Sequence, residues 1–259
     1  MLWTRVASGV VLGPLFLLLV YLEKPYFHVL VAGIAVMMAL EFALMDGRIG
    51  KKRQILVIAA VLAAIAAVSF GYGLPALLSV AAGTIALVAT DQAAGRKGFF
   101  IIQIAVVYVA IPAVSLLYVV AAGGAVAIFW LLAVVWATDI GAYAFGRMIG
   151  GPKLAPSVSP NKTWSGAVGG FASAVAISTA VAWGFGVQIT AGLVVLAGVL
   201  SIVSQSGDLF ESGLKRHYNV KDSGSIIPGH GGFMDRFDGL WFAAPVAALA
   251  TLLWGGIHL

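Results

Sequence analysis

Long apolar runs, separated by short polar or glycine-containing breaks, make up most of the chain. A helix needs about 20 mostly apolar residues to cross a bilayer core. Runs of this kind lie near residues 6–22, 27–45, 54–70, 72–90, 99–121, 124–146, 164–183, 187–207 and 239–257. Stretches such as residues 55–70 lack the apolar–polar alternation of a membrane β-strand. We therefore predict an all-α polytopic membrane protein of about nine transmembrane helices.

The long polar connections are not evenly distributed along the chain. Residues 1–122 consist mainly of predicted spans, whereas residues 123–259 also contain the two longest polar segments. We predict one integral membrane unit with an N-terminal hydrophobic helical region over 1–122. The C-terminal helical region over 123–259 is expected to contain the functional segments.

The composition agrees with a membrane protein and excludes several other classes. Apolar residues make up 61% of the 259 residues and charged residues 10%, against about 25% charged residues in an average soluble domain. The mean hydropathy is +1.04. A soluble fold or a disordered chain is therefore excluded, and the absence of cysteine excludes disulfides and thiolate chemistry. The net charge of +5 is too small and dispersed to indicate a nucleic-acid partner.

The distribution of basic residues predicts the orientation of the chain. With nine spans, the N-terminus and the connections near 46–53, 91–98, 147–163 and 208–238 together contain 14 of the 15 Lys and Arg residues, and the opposite side contains only Lys24. Basic residues are enriched in cytoplasmic connections. We predict a cytoplasmic N-terminus, an external C-terminus and long polar segments on the cytoplasmic side of an inner or plasma membrane.

One of these segments, residues 203–240, holds five of the ten acidic residues, namely Asp208, Glu211, Asp222, Asp235 and Asp238. Asp208 and Glu211 follow helical i, i+3 spacing, as do Asp235 and Asp238. Two such faces could bring their carboxylates together at a membrane boundary. The alternative is a solvated loop whose acidic and basic side chains only pair with each other.

Carboxylates without cysteine favour a hard cation such as Mg²⁺, bound by one or two carboxylates and by substrate phosphates. Lysine and arginine side chains bind phosphate oxygens. The mixture of both in residues 203–240 therefore predicts a site for a polyphosphate and its metal ion. His230, within a glycine-rich stretch, either contacts phosphate or caps a turn.

The second polar segment, residues 136–170, begins with Asp139 inside a predicted span. Asp139 precedes Arg147 by eight residues, about 12 Å along a helix. A carboxylate at membrane depth is costly and indicates function by default, although a bond to a neighbouring helix is the alternative. Asn161, Lys162 and Thr163 come just before the next span and are candidate phosphate contacts at a helix N-terminus. Capping of that helix by Ser159 or Asn161 is compatible with this role.

Together the two segments resemble the integral-membrane phosphatidate cytidylyltransferase family, which makes CDP-diacylglycerol. The resemblance rests on Ser159-Pro160-Asn161-Lys162-Thr163, Ser204-Gln205-x-Gly207-Asp208, Ser212-Gly-Leu-Lys215-Arg216, Lys221-Asp222, His230-Gly231-Gly232 and Asp235-Arg236-x-Asp238. These motifs cover about a quarter of the chain, and the N-terminal half matches only as apolar spans.

The resemblance implies that the phosphate of phosphatidic acid attacks the α-phosphorus of CTP and releases pyrophosphate, with Mg²⁺ as cofactor. It implies metal ligands at Asp208 and Asp235, with Asp139, Glu211 and Asp238 as second choices. The catalytic residues it implies are Asp208, Asp235, Asp238 and Lys215. The substrate-binding residues it implies are Asn161, Lys162, Thr163, Ser212, Arg216, Lys221, Asp222, His230 and Arg236.

Two alternative functions remain open from the sequence. Related enzymes that use CTP act on other lipid phosphates and share much of this pattern. A membrane transporter would explain Asp139, but transporters place charge near the bilayer midplane on repeated, broken helices, and no internal repeat is visible here. A homodimer would fit the family.

Overall fold

A computed structural model describes residues 2–46, 50–93, 100–224 and 231–254. Within these ranges the chain forms α1 (Leu2–Tyr21), α2 (Tyr26–Asp46), α3 (Lys51–Ser69), α4 (Gly73–Ala93), α5 (Phe100–Ile149), α6 (Trp164–Gly184), α7 (Ala191–His217) and α8 (Met234–Leu253), with strands β1 (Lys153–Ala155) and β2 (Ser159–Thr163). Seven of the described helices are long and apolar enough to cross a membrane, and α1 has a shorter apolar stretch over Val10–Tyr21. The predicted all-α polytopic class is confirmed, and the number of crossings and the sides of the termini stay predictions.

Helix α5 contains two of the predicted spans, 99–121 and 124–146, in a single element of 50 residues. Its backbone leaves the helical region at Gly124, where φ is 62° and ψ is −166°. Glycine adopts such positive φ values without the steric penalty of a Cβ atom. The break therefore falls where the sequence predicts a separation between two spans.

Helices α7 and α8 extend further into the polar segment than the apolar pattern predicts. The predicted spans end at 207 and begin at 239, but α7 continues to His217 and α8 begins at Met234. Glu211 and Lys215 form an i, i+4 ion pair, and Lys215, Arg216 and His217 lie in the last turn of α7. Such pairs and C-terminal cations stabilise a helix beyond its apolar part. Asp208 and Glu211 thus lie on one helix, α7, and Asp235 and Asp238 lie on another, α8, as their spacing predicts.

The connection between α5 and α6 is a short antiparallel hairpin of β1 and β2, in which Lys153 is opposite Thr163. The connection contains Pro152, Pro156 and Pro160, and proline favours extended backbone over helix. The residue that caps α6 is Thr163, whose hydroxyl oxygen accepts a hydrogen bond from the Gly166 N–H at 3.1 Å. The alternative that Ser159 or Asn161 caps α6 is therefore wrong, because Thr163 occupies the cap position directly before Trp164.

The chain divides into two compact units. The first unit comprises Met1–Tyr118 and Asp222–Asp235, and the second comprises Val119–Lys221 and Arg236–Leu259. In the first unit α3 and α4 pack closely at Gly83, where an added Cβ would overlap the Cβ of Ala60. The division predicted at residue 122 stays a prediction.

In the second unit glycines allow the end of α5 to approach α6. A Cβ added at Gly170 would lie 2.7 Å from the carbonyl oxygen of Thr138, and one at Gly166 would lie 2.7 Å from that of Ala142. Small residues of this kind let helix backbones pack directly in lipid. The Thr138 hydroxyl also donates a hydrogen bond to the Ser201 Oγ at 2.9 Å, which connects α5 with α7.

Candidate active site

Three carboxylates and one lysine form a cluster in the second unit. Asp139 lies on α5, Lys162 on β2, Asp208 on α7 and Asp238 on α8. The Lys162 Nζ is 2.5 Å from the Asp208 Oδ2. Asp139 and Asp238 each lie close enough to Asp208 and Lys162 to interact with them electrostatically. We call these four residues the carboxylate cluster.

Two glycines next to the carboxylates explain why α7 and α8 bring them together. A Cβ added at Gly207 would lie 2.7 Å from the Phe242 Cβ and 2.8 Å from the Asp238 carbonyl oxygen. A Cβ added at Gly239 would overlap the hydroxyl of Ser204. Asp208 follows Gly207 and Asp238 precedes Gly239, so the two carboxylates lie next to close contacts of the two helices.

Few hydrogen-bond donors face the carboxylate cluster in the described part of the chain. Asp208 Oδ1 accepts a hydrogen bond from the Ser212 hydroxyl at 3.4 Å, and Asp238 Oδ1 accepts one from the Gly239 N–H at 2.7 Å. Besides these, Lys162 provides the ammonium group that pairs with Asp208. Three carboxylates with one ammonium group leave an excess of negative charge when they are ionised.

This donor set fits a hard divalent cation. Carboxylate oxygens are the ligands that Mg²⁺ prefers, and the excess negative charge would favour its binding. Within the described residues, no three His, Asp or Glu side chains are arranged so that they could hold a metal ion by themselves. Mg²⁺ characteristically takes one or two carboxylates and completes its shell with phosphate oxygens and water, which is compatible with Asp208 as a ligand.

Glu211 and Lys215 form a second polar group on α7. Their side chains are 3.2 Å apart, and that of Glu211 is 0% exposed while that of Lys215 is 14% exposed. A buried carboxylate is stable only with a partner of this kind. The arrangement gives Glu211 an ammonium partner, and its predicted role as a metal ligand is not tested by this contact.

The predicted phosphate contacts of the hairpin have different environments. The side chain of Asn161 is exposed and that of Lys162 is half-buried, whereas Thr163 is buried as the cap of α6. The Arg216 Nε donates a hydrogen bond to the Val158 carbonyl oxygen at 3.4 Å, which joins the end of α7 to the hairpin. The remaining described candidates for substrate binding are exposed, namely Lys221, Asp222 and Arg236. His230 lies outside the described residues.

Asp235 belongs to the first unit and has a different set of partners. Its Oδ2 accepts hydrogen bonds from the Ser223 N–H at 3.0 Å, the Ser223 hydroxyl at 3.0 Å and the Gly232 N–H at 3.1 Å. These bonds connect Asp235 to Ser223 and to Gly232, which lie in the two described stretches before α8, residues 222–224 and 231–233. Asp235 is thus held by backbone donors, whereas Asp208 is held by Lys162.

The sequence analysis did not single out Glu41, which is bonded to the same segment. Its Oε1 accepts a hydrogen bond from the Phe233 N–H at 2.8 Å, and its Oε2 accepts bonds from the Met234 N–H at 2.9 Å and the Ser223 hydroxyl at 3.2 Å. Glu41 is 0% exposed on α2. The signal was available, because a carboxylate within the predicted span 27–45 indicates function by the argument applied to Asp139.

Comparisons with known proteins match either nearly the whole chain or about half of it. A family model described as the cytidylyltransferase family matches residues 3–254. A protein of Brucella suis biovar 1 (strain 1330) named phosphatidate cytidylyltransferase is 57% identical over 135 residues, which are 52% of this chain and 48% of that protein. A protein of the same name from Staphylococcus haemolyticus (strain JCSC1435) is 47% identical over 120 residues, 46% of each chain. The matches thus span about half the length of these relatives.

Proposed function

This chain belongs to the cytidylyltransferase family, and we propose that it is an integral membrane enzyme that transfers CMP from CTP to phosphatidic acid. The products are CDP-diacylglycerol and pyrophosphate. Relatives that carry the name phosphatidate cytidylyltransferase are 47–57% identical over about half of the chain. The matched motifs of the two polar segments support the same reaction.

The observation that carries the proposal is the carboxylate cluster. CTP and phosphatidic acid are both anions that react through their phosphate groups. The principal barrier to their reaction is therefore the approach of two negative charges. A site with carboxylates for a metal ion and with nearby lysine and arginine for phosphates meets this requirement. Asp208 and Lys162 combine these two functions at a separation of 2.5 Å.

The reaction proceeds by displacement at phosphorus. A phosphate oxygen of phosphatidic acid attacks the α-phosphorus of CTP, a new P–O bond forms, and the bond between the α-phosphorus and the bridging oxygen breaks. That oxygen keeps the electron pair and leaves with pyrophosphate. A phosphate monoester has a second pKa of about 6 and is mostly a dianion at neutral pH. The nucleophile therefore requires no general base.

The residues of the chain act by binding and orienting the two phosphates. The proposed cationic contacts of the phosphate oxygens are Lys162, Lys215, Arg216, Lys221 and Arg236. Glu211 orients the Lys215 ammonium at 3.2 Å. Mg²⁺, when bound, would supply charge neutralisation on the triphosphate, and Asp208 with Asp238 or Asp139 would hold it. Asp235 is a further proposed ligand from the motif.

The orientation that the basic residues predict favours a cytoplasmic site. CTP is a soluble nucleotide that cannot cross a bilayer unaided, so it must reach the site from the cytoplasm. The 14 to 1 distribution of basic residues predicts that both polar segments lie on that side. We therefore propose that the carboxylate cluster faces the cytoplasm.

A coupled assay tests the proposal directly. Purified full-length protein in lipid–detergent micelles is incubated with CTP, Mg²⁺ and phosphatidic acid, and the release of pyrophosphate is recorded. We expect release that requires all three components and is suppressed by EDTA. Parallel reactions replace phosphatidic acid by an isoprenyl phosphate and CTP by ATP. Faster release with isoprenyl phosphate would assign the other lipid class, and no release with either lipid by folded protein would reject the proposed activity.

A further inference from the structure

Glu41 is a carboxylate in the interior of the first unit. On α2 it is flanked by Met38, Ala39, Phe42 and Met45, all of which are buried. An ionised carboxylate in such surroundings is strongly disfavoured unless hydrogen bonds replace its lost hydration. The residue therefore requires partners, and its partners identify its role.

The partners of Glu41 are located at the beginning of α8. The N–H groups at the start of a helix have no acceptor within the helix, and the Phe233 and Met234 N–H groups donate to the two oxygens of Glu41 at 2.8 and 2.9 Å. The positive end of the helix dipole favours a carboxylate at this position. Glu41 thus caps a helix that begins 193 residues later in the chain.

Ser223 connects Glu41 with Asp235. Its hydroxyl oxygen is 3.2 Å from the Glu41 Oε2 and 3.0 Å from the Asp235 Oδ2, and its backbone N–H donates to the same Asp235 oxygen at 3.0 Å. A serine hydroxyl has one proton to donate, so the two carboxylates share this donor. The position of Asp235 is therefore coupled to that of Glu41.

Gly224 and Gly232, which precede α8 in the chain, fit closely against Glu41. A Cβ added at Gly224 would lie 2.7 Å from the Glu41 Oε1, and one at Gly232 would lie 2.6 Å from the Oε2 and would overlap the Ser223 hydroxyl. Real Cβ atoms essentially never lie within 3.0 Å of another heavy atom, so a side chain at either position would displace the Glu41 carboxylate or the Ser223 hydroxyl. The two glycines thus permit the close approach of Glu41.

We propose that Glu41 is a positioning residue for the reaction. Its carboxylate holds the start of α8 and Ser223 in place, and these in turn fix the carboxylate plane of Asp235 through three hydrogen bonds to the Oδ2. The inference rests on the proposed function, because that function gives Asp235 its role as a metal ligand. In this role Glu41 acts through Ser223 and the start of α8.

The principal test replaces Glu41 by glutamine in the full-length protein. The amide has one acceptor oxygen, so its NH₂ group faces either the Phe233 N–H or the Met234 N–H, and one of these two backbone bonds is lost. We expect kcat to fall by about 10–100-fold, the range typical for groups that orient metal ligands. The Mg²⁺ concentration for half-maximal rate should rise, while the KM for CTP stays within about twofold. Glu23→Gln, the same change at an exposed carboxylate, should leave all three values unchanged.

Ser223→Ala is a second variant that keeps the backbone bonds of Glu41 and removes only the shared hydroxyl. We expect the same changes in kcat and Mg²⁺ dependence with a smaller size, about threefold, and an unchanged thermal midpoint. If Glu41→Gln does not fold, this variant decides the question. Wild-type kcat and Mg²⁺ dependence in whichever variant folds would overturn the proposal.

Two measurements do not depend on turnover. Mn²⁺ binding to the wild type and to Glu41→Gln is compared by electron paramagnetic resonance, and the exchange of backbone amides in residues 223–224 and 231–235 is followed by mass spectrometry. We expect weaker Mn²⁺ binding and faster exchange in the variant. The Glu41→Gln change should weaken Mn²⁺ binding no further when Asp235 is already Asn. If wild-type protein shows no cytidylyltransferase activity, the proposed function fails, while the result of these two measurements still supports or overturns the role of Glu41.

Discussion

The two units use aspartate and glutamate in different ways. In the carboxylate cluster of the second unit, Asp208 pairs with Lys162 and its other bond, from Ser212, is 3.4 Å long. In the first unit, the Asp235 Oδ2 alone accepts three bonds of 3.0–3.1 Å, two of them from backbone N–H groups. The Asp235 Oδ2 is therefore fixed in position by donors of its own chain segment, whereas Asp208 has fewer donors from the protein.

The difference has a simple origin in helix geometry. Asp235 is in the first turn of α8 and Glu41 approaches the same helix start, where backbone N–H groups lack acceptors. Asp208 lies well inside α7 and Asp139 well inside α5, where the backbone N–H groups are bonded within the helix. Carboxylates in the interior of helices can be neutralised only by side chains, metal ions or substrate-bound cations.

The largest expected effect is a loss of activity when the charge of Asp208 is removed. Asp208→Asn removes the charge of the cluster member that pairs with Lys162, and we expect pyrophosphate release to fall by at least about 100-fold, comparable to the loss of a principal electrostatic contact. The half-exposed side chain contributes little to folding, so yield and thermal midpoint should be unchanged. A rate within threefold of wild type would remove Asp208 from the proposed metal site.

A smaller effect is expected at Lys162. Replacing it by methionine keeps the apolar stem and removes the ammonium group, and we expect kcat/KM for CTP to fall by about 10–100-fold, as expected for a charge-assisted phosphate contact worth about 1.5–3 kcal/mol. The matched control is Lys153→Met in the opposite strand of the hairpin, where Lys153 is exposed and pairs with Thr163. Equal losses in both variants would indicate an effect of the hairpin and not of the cluster.

A third prediction compares stability between the units. Asp235→Ala leaves the Ser223 and Gly232 N–H groups without their acceptor, and we expect the free energy of unfolding to decrease by about 1–3 kcal/mol. Asp208→Ala removes an ion pair whose side chains are 26% and 36% exposed, and such pairs contribute about 0–1 kcal/mol. Thermal midpoints of the two purified variants should therefore differ, with Asp235→Ala the lower. Equal midpoints would contradict the expectation that the backbone bonds of Asp235 contribute more to stability than the ion pair of Asp208.

Much of the fold could be predicted from the sequence because its physics is local. The length of an apolar run determines whether a helix can cross a bilayer, and the family model that matches residues 3–254 confirms the family indicated by the motifs. The i, i+3 spacing of Asp208 and Glu211 correctly placed them on one helix. The end of α7 at His217 was missed, because hydropathy measures the membrane-embedded part of a helix and not its polar continuation.

Contacts between distant residues could not be predicted in this way. Glu41 and Met234 are separated by 193 positions, and neither periodicity nor spacing relates them. The spacing of Gly231 and Gly232 relates them only to the motif that also contains His230. The structure shows that Gly232 also accommodates a carboxylate from the same unit. A single sequence therefore gives the chemical types present in a site but not their internal partners.

The smallest expected effect tests the helix contact beneath the carboxylate cluster. Gly207→Ala places a Cβ 2.7 Å from the Phe242 Cβ and 2.8 Å from the Asp238 carbonyl oxygen, which must displace α8 from α7. Overpacking of this kind costs about 1–3 kcal/mol, and alanine regains about 0.5–1 kcal/mol of helix stability. We therefore expect a net loss of about 1 kcal/mol in the free energy of unfolding and a reduced kcat, because Asp208 and Asp238 move apart.

The matched control is Gly213→Ala on the same helix, where the added Cβ would meet only the Val158 Cγ1 at 3.9 Å, an ordinary contact. This variant should gain about 0.5–1 kcal/mol from helix propensity, so the two alanines are expected to shift the thermal midpoint in opposite directions. A midpoint raised by both would mean that α8 adjusts to the Gly207 side chain without strain. In that case the separation of Asp208 and Asp238 would not depend on the close contact of their helices, and a normal kcat in Gly207→Ala would confirm it.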